Sequence, residues 1–148
     1  MDEIEGVRLT PLKVIHVPEG DVYHALKVSD PGFVGFGEAY FSTIHPGSVK
    51  PWKRHLRMTL NLIVVRGLVR FVVHDDRHDS KTRGVTREYR SGFPDAYLRL
   101  TITPGLWMAF QGLGNETSLL LNVADIAHDP EEAIRGRLDD YPFDWSSR

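Results

Sequence analysis

The sequence contains no cysteine, no long apolar run and no marked excess of charge of either sign. The absence of cysteine excludes disulfides, thiolate metal sites and cysteine nucleophiles. The longest apolar stretches fall far below the roughly 18 to 20 residues that a membrane helix needs, so no membrane partner is expected. A formal net charge of -2 gives no reason to expect bulk affinity for nucleic acid. Because Met1 is followed by Asp2, Glu3 and Glu5 instead of a basic and then an apolar segment, we expect no signal peptide and a cytoplasmic protein.

The composition is otherwise that of an ordinary globular protein, with 41% hydrophobic and 26% charged residues. No repeat or linker divides the chain, so we predict one domain covering residues 1–148. Short β-branched and aromatic runs recur, each bounded by Gly, Pro, Asp or Ser, which is typical of an all-β sandwich or barrel. Strands are predicted at residues 12–17, 22–28, 35–41, 57–65, 68–74, 85–89, 97–103, 107–111 and 118–125.

Two local signals refine this prediction. Arg66-Gly67 lies between two hydrophobic runs, and its glycine supplies the positive φ that a tight hairpin turn needs. Asp129-Pro130-Glu131-Glu132 combines an N-cap, a proline at the first helical position and first-turn carboxylates. The second signal predicts one short C-terminal helix that ends by Leu138.

The stretch "WKRHLRMTLNLIVV" (residues 52–65) begins with basic residues around one histidine and ends as an apolar run. Interpreted as a single strand, it places polar and apolar residues on opposite faces. The polar face consists of Lys53, His55, Arg57, Thr59 and Asn61. Four cations in this region repel one another unless an anion neutralises them, which favours an anionic partner such as a diphosphate. The alternation of polar and apolar residues by itself also fits a solvated sheet face, which is the alternative interpretation. The four cations are Lys50, Lys53, Arg54 and Arg57.

Two longer segments carry a family resemblance. They are "GFGEAYFSTIHPGSVKPWKRHLRMTLNLIVVRGLVRFVVHDDR" (residues 35–77) and "LTITPGLWMAFQGLGNETSLLLNVADIAHDPEE" (residues 100–132). Together they resemble the cupin jelly roll and, within it, the dTDP-4-dehydrorhamnose 3,5-epimerase-like proteins and the nucleotide-sugar 3,4-ketoisomerases. The resemblance implies an all-β cupin-type jelly-roll sandwich, usually a homodimer. It also implies an isomerase or epimerase that acts on a dTDP-linked 4-keto-6-deoxy sugar in deoxysugar or cell-surface polysaccharide biosynthesis.

The positions that bind metal in other cupins argue against a metal here. Aligned from the hairpin glycine and the Pro-Gly turn, they hold Lys53, His55, Leu60 or Asn61, and Met108. Only His55 is a common ligand for a divalent metal, so we expect no metal and no other cofactor. A metal-binding cupin remains the least favoured alternative.

The resemblance implies a metal-free proton transfer, because the substrate ketone already acidifies the neighbouring C–H bond. In these terms His55 is the candidate general base. Lys53, Arg57 or Lys50 would stabilise the enolate oxygen or hold the diphosphate. Tyr40 is the candidate acid, and an ordinary half-buried core aromatic is the alternative for it.

The chain departs from the 3,5-epimerases at several positions. Leu121 stands where they carry their acid tyrosine, and Leu60-Asn61 stands where they carry a lysine. The aspartate that orients their histidine has no counterpart after "FDWSSR", and Glu19-Gly20 replaces an Arg-Gly pair. We therefore expect a ketoisomerase-like or single-site epimerase reaction. A non-catalytic protein that binds the sugar nucleotide and has lost the acid is the alternative.

Three further residues are candidates for substrate binding. Asn61 belongs to the predicted polar face. His24 alternates with Val22 and Leu26 and is predicted to point inward, although a core histidine is the simpler interpretation. Trp107 follows the Pro-Gly turn and could stack on a thymine ring, or could equally be a core aromatic.

Overall fold

The computed structural model describes residues 3–147, so Met1 and Asp2 of the acidic N-terminal stretch lie outside the described residues. Twelve strands are found in this range. In chain order they are β1 (Val7–Pro11), β2 (Val14–Ile15), β3 (Val22–Tyr23), β4 (Glu38–Ile44), β5 (Val49–His55), β6 (Leu60–Arg66), β7 (Leu68–His74), β8 (Thr86–Gly92), β9 (Leu98–Ile102), β10 (Trp107–Leu113), β11 (Ser118–Ala124) and β12 (Ala133–Arg135).

The strands form two five-stranded antiparallel sheets and a small hairpin. The first sheet has the order β1-β9-β6-β11-β4, the second has the order β12-β5-β10-β7-β8, and β2 pairs with β3. Apolar side chains from both sheets meet between them, including Leu62 and Leu100 from the first sheet and Phe71 and Val73 from the second. This arrangement confirms the all-β, jelly-roll sandwich.

Each of the nine predicted strands overlaps an observed one, whereas β1, β5 and β12 have no counterpart among those nine. The hairpin at Arg66-Gly67 is confirmed, because Gly67 has φ +82° and connects β6 with β7. Among residues 3–147, no helix is long and apolar enough to cross a membrane.

The predicted C-terminal helix is wrong beyond its first turn. Asp129 caps the backbone N–H of Glu131 at 3.0 Å, but the helix is a single 3-10 turn, Pro130–Glu132. The next residues form β12, whose backbone pairs with the edge strand β5. Pairing with this distant strand satisfies the backbone groups that a helix would otherwise have used. A second 3-10 turn, Leu138–Asp140, follows.

The predicted strand at residues 57–65 is also corrected. β5 ends at His55 in the second sheet, and β6 begins at Leu60 in the first sheet. Residues 56–59 carry the chain from one sheet to the other, so residues 53 to 61 do not share one strand face. Lys53 and His55 instead point toward Leu60 and Leu62 across the space between the sheets.

Candidate active site

A cavity of about 340 Å³ opens between the two sheets. It combines an apolar floor with titratable groups from both sheets, which is the usual character of a small-molecule site. Its lining residues are Tyr40, Ser42, Lys50, Pro51, Lys53, His55, Leu60, Leu62, Met108, Phe110, Leu120, Asn122 and Arg135. A larger open groove runs along residues 137–145, but it contains neither a histidine nor a lysine. The cavity between the sheets is therefore the candidate active site.

His55 is the end residue of β5 and is held by a buried carboxylate. Its Nδ1 is hydrogen-bonded to Oε1 of Glu132, which is 2% exposed. The other oxygen of Glu132 accepts the backbone N–H groups of Arg57 at 3.3 Å and Met58 at 3.2 Å. Because a carboxylate only accepts hydrogen bonds, Nδ1 carries the imidazole proton and Nε2 is left as the basic nitrogen.

These contacts also determine the charge of Glu132. Burial alone raises the pKa of this carboxyl, but the hydrogen bonds from His55 and from the amides of Arg57 and Met58 outweigh it. The net pKa of Glu132 therefore lies below its ordinary value, and the group is ionised at neutral pH. An ionised partner stabilises the imidazolium that forms when His55 takes up a proton.

Sequence reasoning missed Glu132 as a partner of His55. The 3-10 turn that begins at Asp129 and the pairing of Ala133 with His55 bring Glu132 to the imidazole. In the sequence pattern, Glu132 is only a first-turn carboxylate of the predicted C-terminal helix, and it lies 77 residues away from His55. No local sequence signal pairs the two residues, because their contact depends on the pairing of β12 with β5.

Tyr40 reaches the cavity from the opposite sheet. It lies on β4, and the amide Nδ2 of Asn122 on β11 donates a hydrogen bond to its hydroxyl oxygen at 3.0 Å. Because that bond uses the oxygen as an acceptor, the phenolic proton is available to a ligand. His55 and Tyr40 therefore face one cavity from its two walls. Leu121, which stands where the 3,5-epimerases carry their acid tyrosine, lines a separate groove on the outer face of the first sheet.

Three cations border the cavity. Lys53 is half-buried, whereas Lys50 and Arg135 are exposed at the rim. Burial lowers the pKa of the Lys53 ammonium and the nearby Arg135 lowers it further, against an opposing effect of Glu132. Lys50 donates to the backbone carbonyl of Thr43 at 2.8 Å. Arg135 was not identified from the sequence, because it was assigned to the predicted helix.

Arg57 and Asn61 lie outside the cavity. The guanidinium of Arg57 bonds Asp129 at 2.9 Å, so it fastens the turn that carries Glu132. Asn61 points to the outer face of the first sheet, where it donates to the carbonyl of Gly32 and accepts from Thr101. Both side chains are engaged in structural contacts there.

His24 and Trp107 are also outside the cavity. His24 follows β3, and its backbone carbonyl accepts a hydrogen bond from the hydroxyl of Tyr97. Trp107 belongs to an aromatic cluster on the outer face of the second sheet, where its indole N–H donates to Asp76 at 3.0 Å. The C-terminal segment, including Tyr141, covers this cluster.

No family model matches the sequence. A solved structure of a dTDP sugar isomerase from Desulfovibrio desulfuricans G20 is 37% identical to this chain, with a TM-score of 0.93 over 98% of this chain and 94% of that one. Agl13 of Haloferax volcanii, described as a probable low-salt glycan biosynthesis epimerase, is 31% identical over 107 residues, 72% of this chain and 66% of that protein. The spore coat polysaccharide biosynthesis protein SpsL of Bacillus subtilis is 26% identical over 97% of both chains.

Proposed function

The chain belongs to the family of dTDP-sugar epimerases and isomerases, and we propose that it isomerises or epimerises a dTDP-linked 4-keto-6-deoxy sugar by moving a proton next to the ketone. One observation carries this proposal. The His55–Glu132 pair and Tyr40 line a single cavity from opposite sheets. A sugar ring between them would have a base on one face and an acid on the other.

In the first step, Nε2 of His55 removes the proton from the carbon beside the ketone. The C–H electron pair moves into an enolate, and the ionised Glu132 stabilises the resulting imidazolium through Nδ1–H. A positioned general base of this kind contributes about 100-fold to 10,000-fold in rate. Lys53 supplies positive charge for the enolate oxygen, which is the role of a preorganised cation at a developing oxyanion.

In the second step, the enolate collapses and Tyr40 donates its phenolic proton. Protonation of the same carbon from the opposite face inverts that carbon and gives an epimer. When the deprotonated carbon carries a hydroxyl, the intermediate is an enediolate, and protonation of the former carbonyl carbon together with a proton shift from that hydroxyl to the former carbonyl oxygen moves the ketone and gives a ketoisomer. Both outcomes use His55 as the base and Tyr40 as the acid, and solvent afterwards restores the proton of Tyr40 and takes the proton from His55.

The remaining charges fit the nucleotide part of the substrate. Lys50 and Arg135 at the rim present cations to a diphosphate, which is an acceptor for charge-assisted hydrogen bonds. Metal independence belongs to this proposal and is supported by Lys53 and Met108, which stand beside His55 where metal-binding cupins place ligands. A homodimer and a cytoplasmic location are also part of the proposal.

The test mixes the protein with a dTDP-4-keto-6-deoxyhexose in deuterated buffer and follows C3 and C5 by NMR. We expect deuterium to enter at one or both carbons, and we expect His55→Ala to abolish it while dTDP still binds. If wild-type exchange does not exceed that of His55→Ala, the proposed reaction is wrong. Saturable dTDP binding without exchange would instead identify a binding protein that has lost its acid function.

A further inference from the structure

Asn122 is a buried polar residue in the wall of the cavity. It lies in the middle of β11, directly opposite Tyr40 on β4 and Leu62 on β6. Its exposure is 2%, and Leu62 and Leu120 line the cavity beside it. An amide at such a position needs an explanation other than packing.

The amide makes one hydrogen bond and leaves its other polar atom unpaired. Nδ2 donates to the hydroxyl oxygen of Tyr40 at 3.0 Å. Oδ1 is buried without a hydrogen-bond partner among residues 3–147. A buried acceptor without a partner lowers the stability of the folded state, whereas an apolar side chain of the same shape would not. The side chain is therefore unfavourable for folding and useful only through its contact with Tyr40.

This contact has a direct consequence for the chemistry of Tyr40. Because the phenol oxygen accepts from Asn122, its own proton points away from the amide and toward the cavity. Once that proton is given to the substrate, the same Nδ2–H group donates to the phenolate oxygen. Hydrogen bonds to charged groups are stronger than those to neutral groups, so the contact strengthens as the proton leaves.

We propose that Asn122 is a positioning residue that aims the proton of Tyr40 into the cavity and stabilises the phenolate formed when Tyr40 acts as the acid. This inference rests on the proposed function. Asn122 needs no contact with the substrate in this role. Its effect should therefore fall on turnover and not on substrate binding, as expected for an interaction that strengthens in the transition state.

The experiment compares Asn122→Leu, Tyr40→Phe and the double variant by their rates of product formation from the same dTDP-4-keto-6-deoxyhexose. Leucine keeps the number and the branching of the side-chain heavy atoms and removes both polar atoms. We expect Asn122→Leu to lower kcat about tenfold to a hundredfold, the range of a hydrogen bond to a charged group, with KM changed less than about twofold. The double variant should be no slower than Tyr40→Phe alone, because both changes remove the same interaction.

Thermal unfolding separates this role from a structural one. Since Asn122→Leu removes an unpaired buried acceptor, its Tm should equal or exceed that of the wild type. The control is Thr101→Val, a buried change in the same sheet, which removes the donor to Asn61 outside the cavity. We expect Thr101→Val to lower the Tm without changing kcat.

Two results would overturn the inference. The first applies when the wild type is active: Asn122→Leu keeps the full kcat, or the double variant loses the kcat factors of both single variants together. The other is a fall in the Tm of Asn122→Leu, which would make the amide a structural residue whether or not the wild type exchanges. The absence of exchange in the wild type identifies failure of the proposed function itself.

Discussion

Glu132 is the residue on which the chemistry of the cavity depends most closely. It is almost completely buried, it is ionised, and all of its described hydrogen-bond donors come from residues 55 to 58. A buried carboxylate is tolerated only when such donors compensate it. The same donors hold the imidazole in one orientation and one tautomer, so positioning and charge stabilisation come from a single side chain.

Replacing this carboxylate by the neutral amide in Glu132→Gln should lower the rate of proton transfer by at least about a hundredfold. The amide can accept from Nδ1 or donate to it, and it cannot neutralise the imidazolium. The measurement is the initial rate of deuterium incorporation. Glu131→Gln, an exposed neighbour in the same turn, serves as the control and should match the wild type. Equal rates for the two variants would refute the role of Glu132.

The lowered pKa of Glu132 also predicts a pH dependence of stability. A carboxyl whose pKa is lower in the folded than in the unfolded protein contributes stability above its ordinary value, 4.5, and this contribution disappears as the pH falls through the folded pKa. The difference in unfolding free energy between the wild type and Glu132→Gln should therefore shrink from pH 7 to acid pH. Urea denaturation at a series of pH values measures it. A difference that stays constant or grows toward acid pH would contradict the assignment.

At the scale of elements, local signals were predicted well and distant pairings were not. The β6–β7 hairpin follows from Arg66-Gly67, two adjacent residues with a clear conformational requirement. β12 forms only because residues 133 to 135 lie beside β5, almost eighty positions earlier in the chain. The local pattern at Asp129 correctly predicts the start of a helix. The helix does not continue past its first turn, because the next residues pair with the distant strand β5. For the same reason Glu132 and Arg135 could not be assigned to the site from the sequence.

Gly67 allows a sharp test of the hairpin. It has φ +82°, and an added Cβ would lie 2.2 Å from Oγ of Ser118, a side chain that both donates to and accepts from the backbone of Leu68. Gly114 has φ +76° and no atom within 4 Å of the added Cβ. Alanine at either position should cost about 1 to 2 kcal/mol for the backbone conformation.

The close contact should add about 1 to 3 kcal/mol at Gly67 alone, because it forces Ser118 away from Leu68. Chemical denaturation of Gly67→Ala and Gly114→Ala measures the difference. If the two variants lose the same free energy of unfolding, the close approach of Ser118 to the turn does not restrict the residue at position 67.

At the scale of the whole molecule, the sequence predicted the sandwich and four of the seven polar residues that line its cavity. His55, Tyr40, Lys50 and Lys53 line the cavity, although their chemical roles stay predictions. Strand periodicity identifies which residues can face inward, but it does not show where the chain passes from one sheet to the other. Because the chain crosses between the sheets at residues 56–59, Arg57 and Asn61 make contacts outside the cavity and, contrary to the prediction, do not share a strand face with His55.

Charge is distributed unevenly over the molecule. The formal net charge is -2, yet Lys50, Lys53 and Arg135 concentrate positive charge at the cavity. dTDP should therefore bind more weakly as salt screens these charges. Arg135→Gln should weaken binding about tenfold and reduce the salt dependence, as expected for the loss of one charge-assisted contact.

Titration calorimetry at two salt concentrations measures this effect. Arg137→Gln is the matched control, because Arg137 is exposed on the same segment and lines a different groove. If the two arginine variants bind dTDP equally well, or if affinity is independent of salt, the cavity cations do not hold the diphosphate.

The central claim is that His55 and Tyr40 act on one substrate from opposite walls of the cavity. The most direct measurement follows deuterium incorporation and product formation together in the wild type, His55→Ala and Tyr40→Phe, with a dTDP-4-keto-6-deoxyhexose as substrate. We predict both signals in the wild type, neither in His55→Ala, and in Tyr40→Phe continued incorporation with product formation reduced about 100-fold or more. Incorporation by His55→Ala at the wild-type rate, or unimpaired product formation by Tyr40→Phe, would contradict the claim.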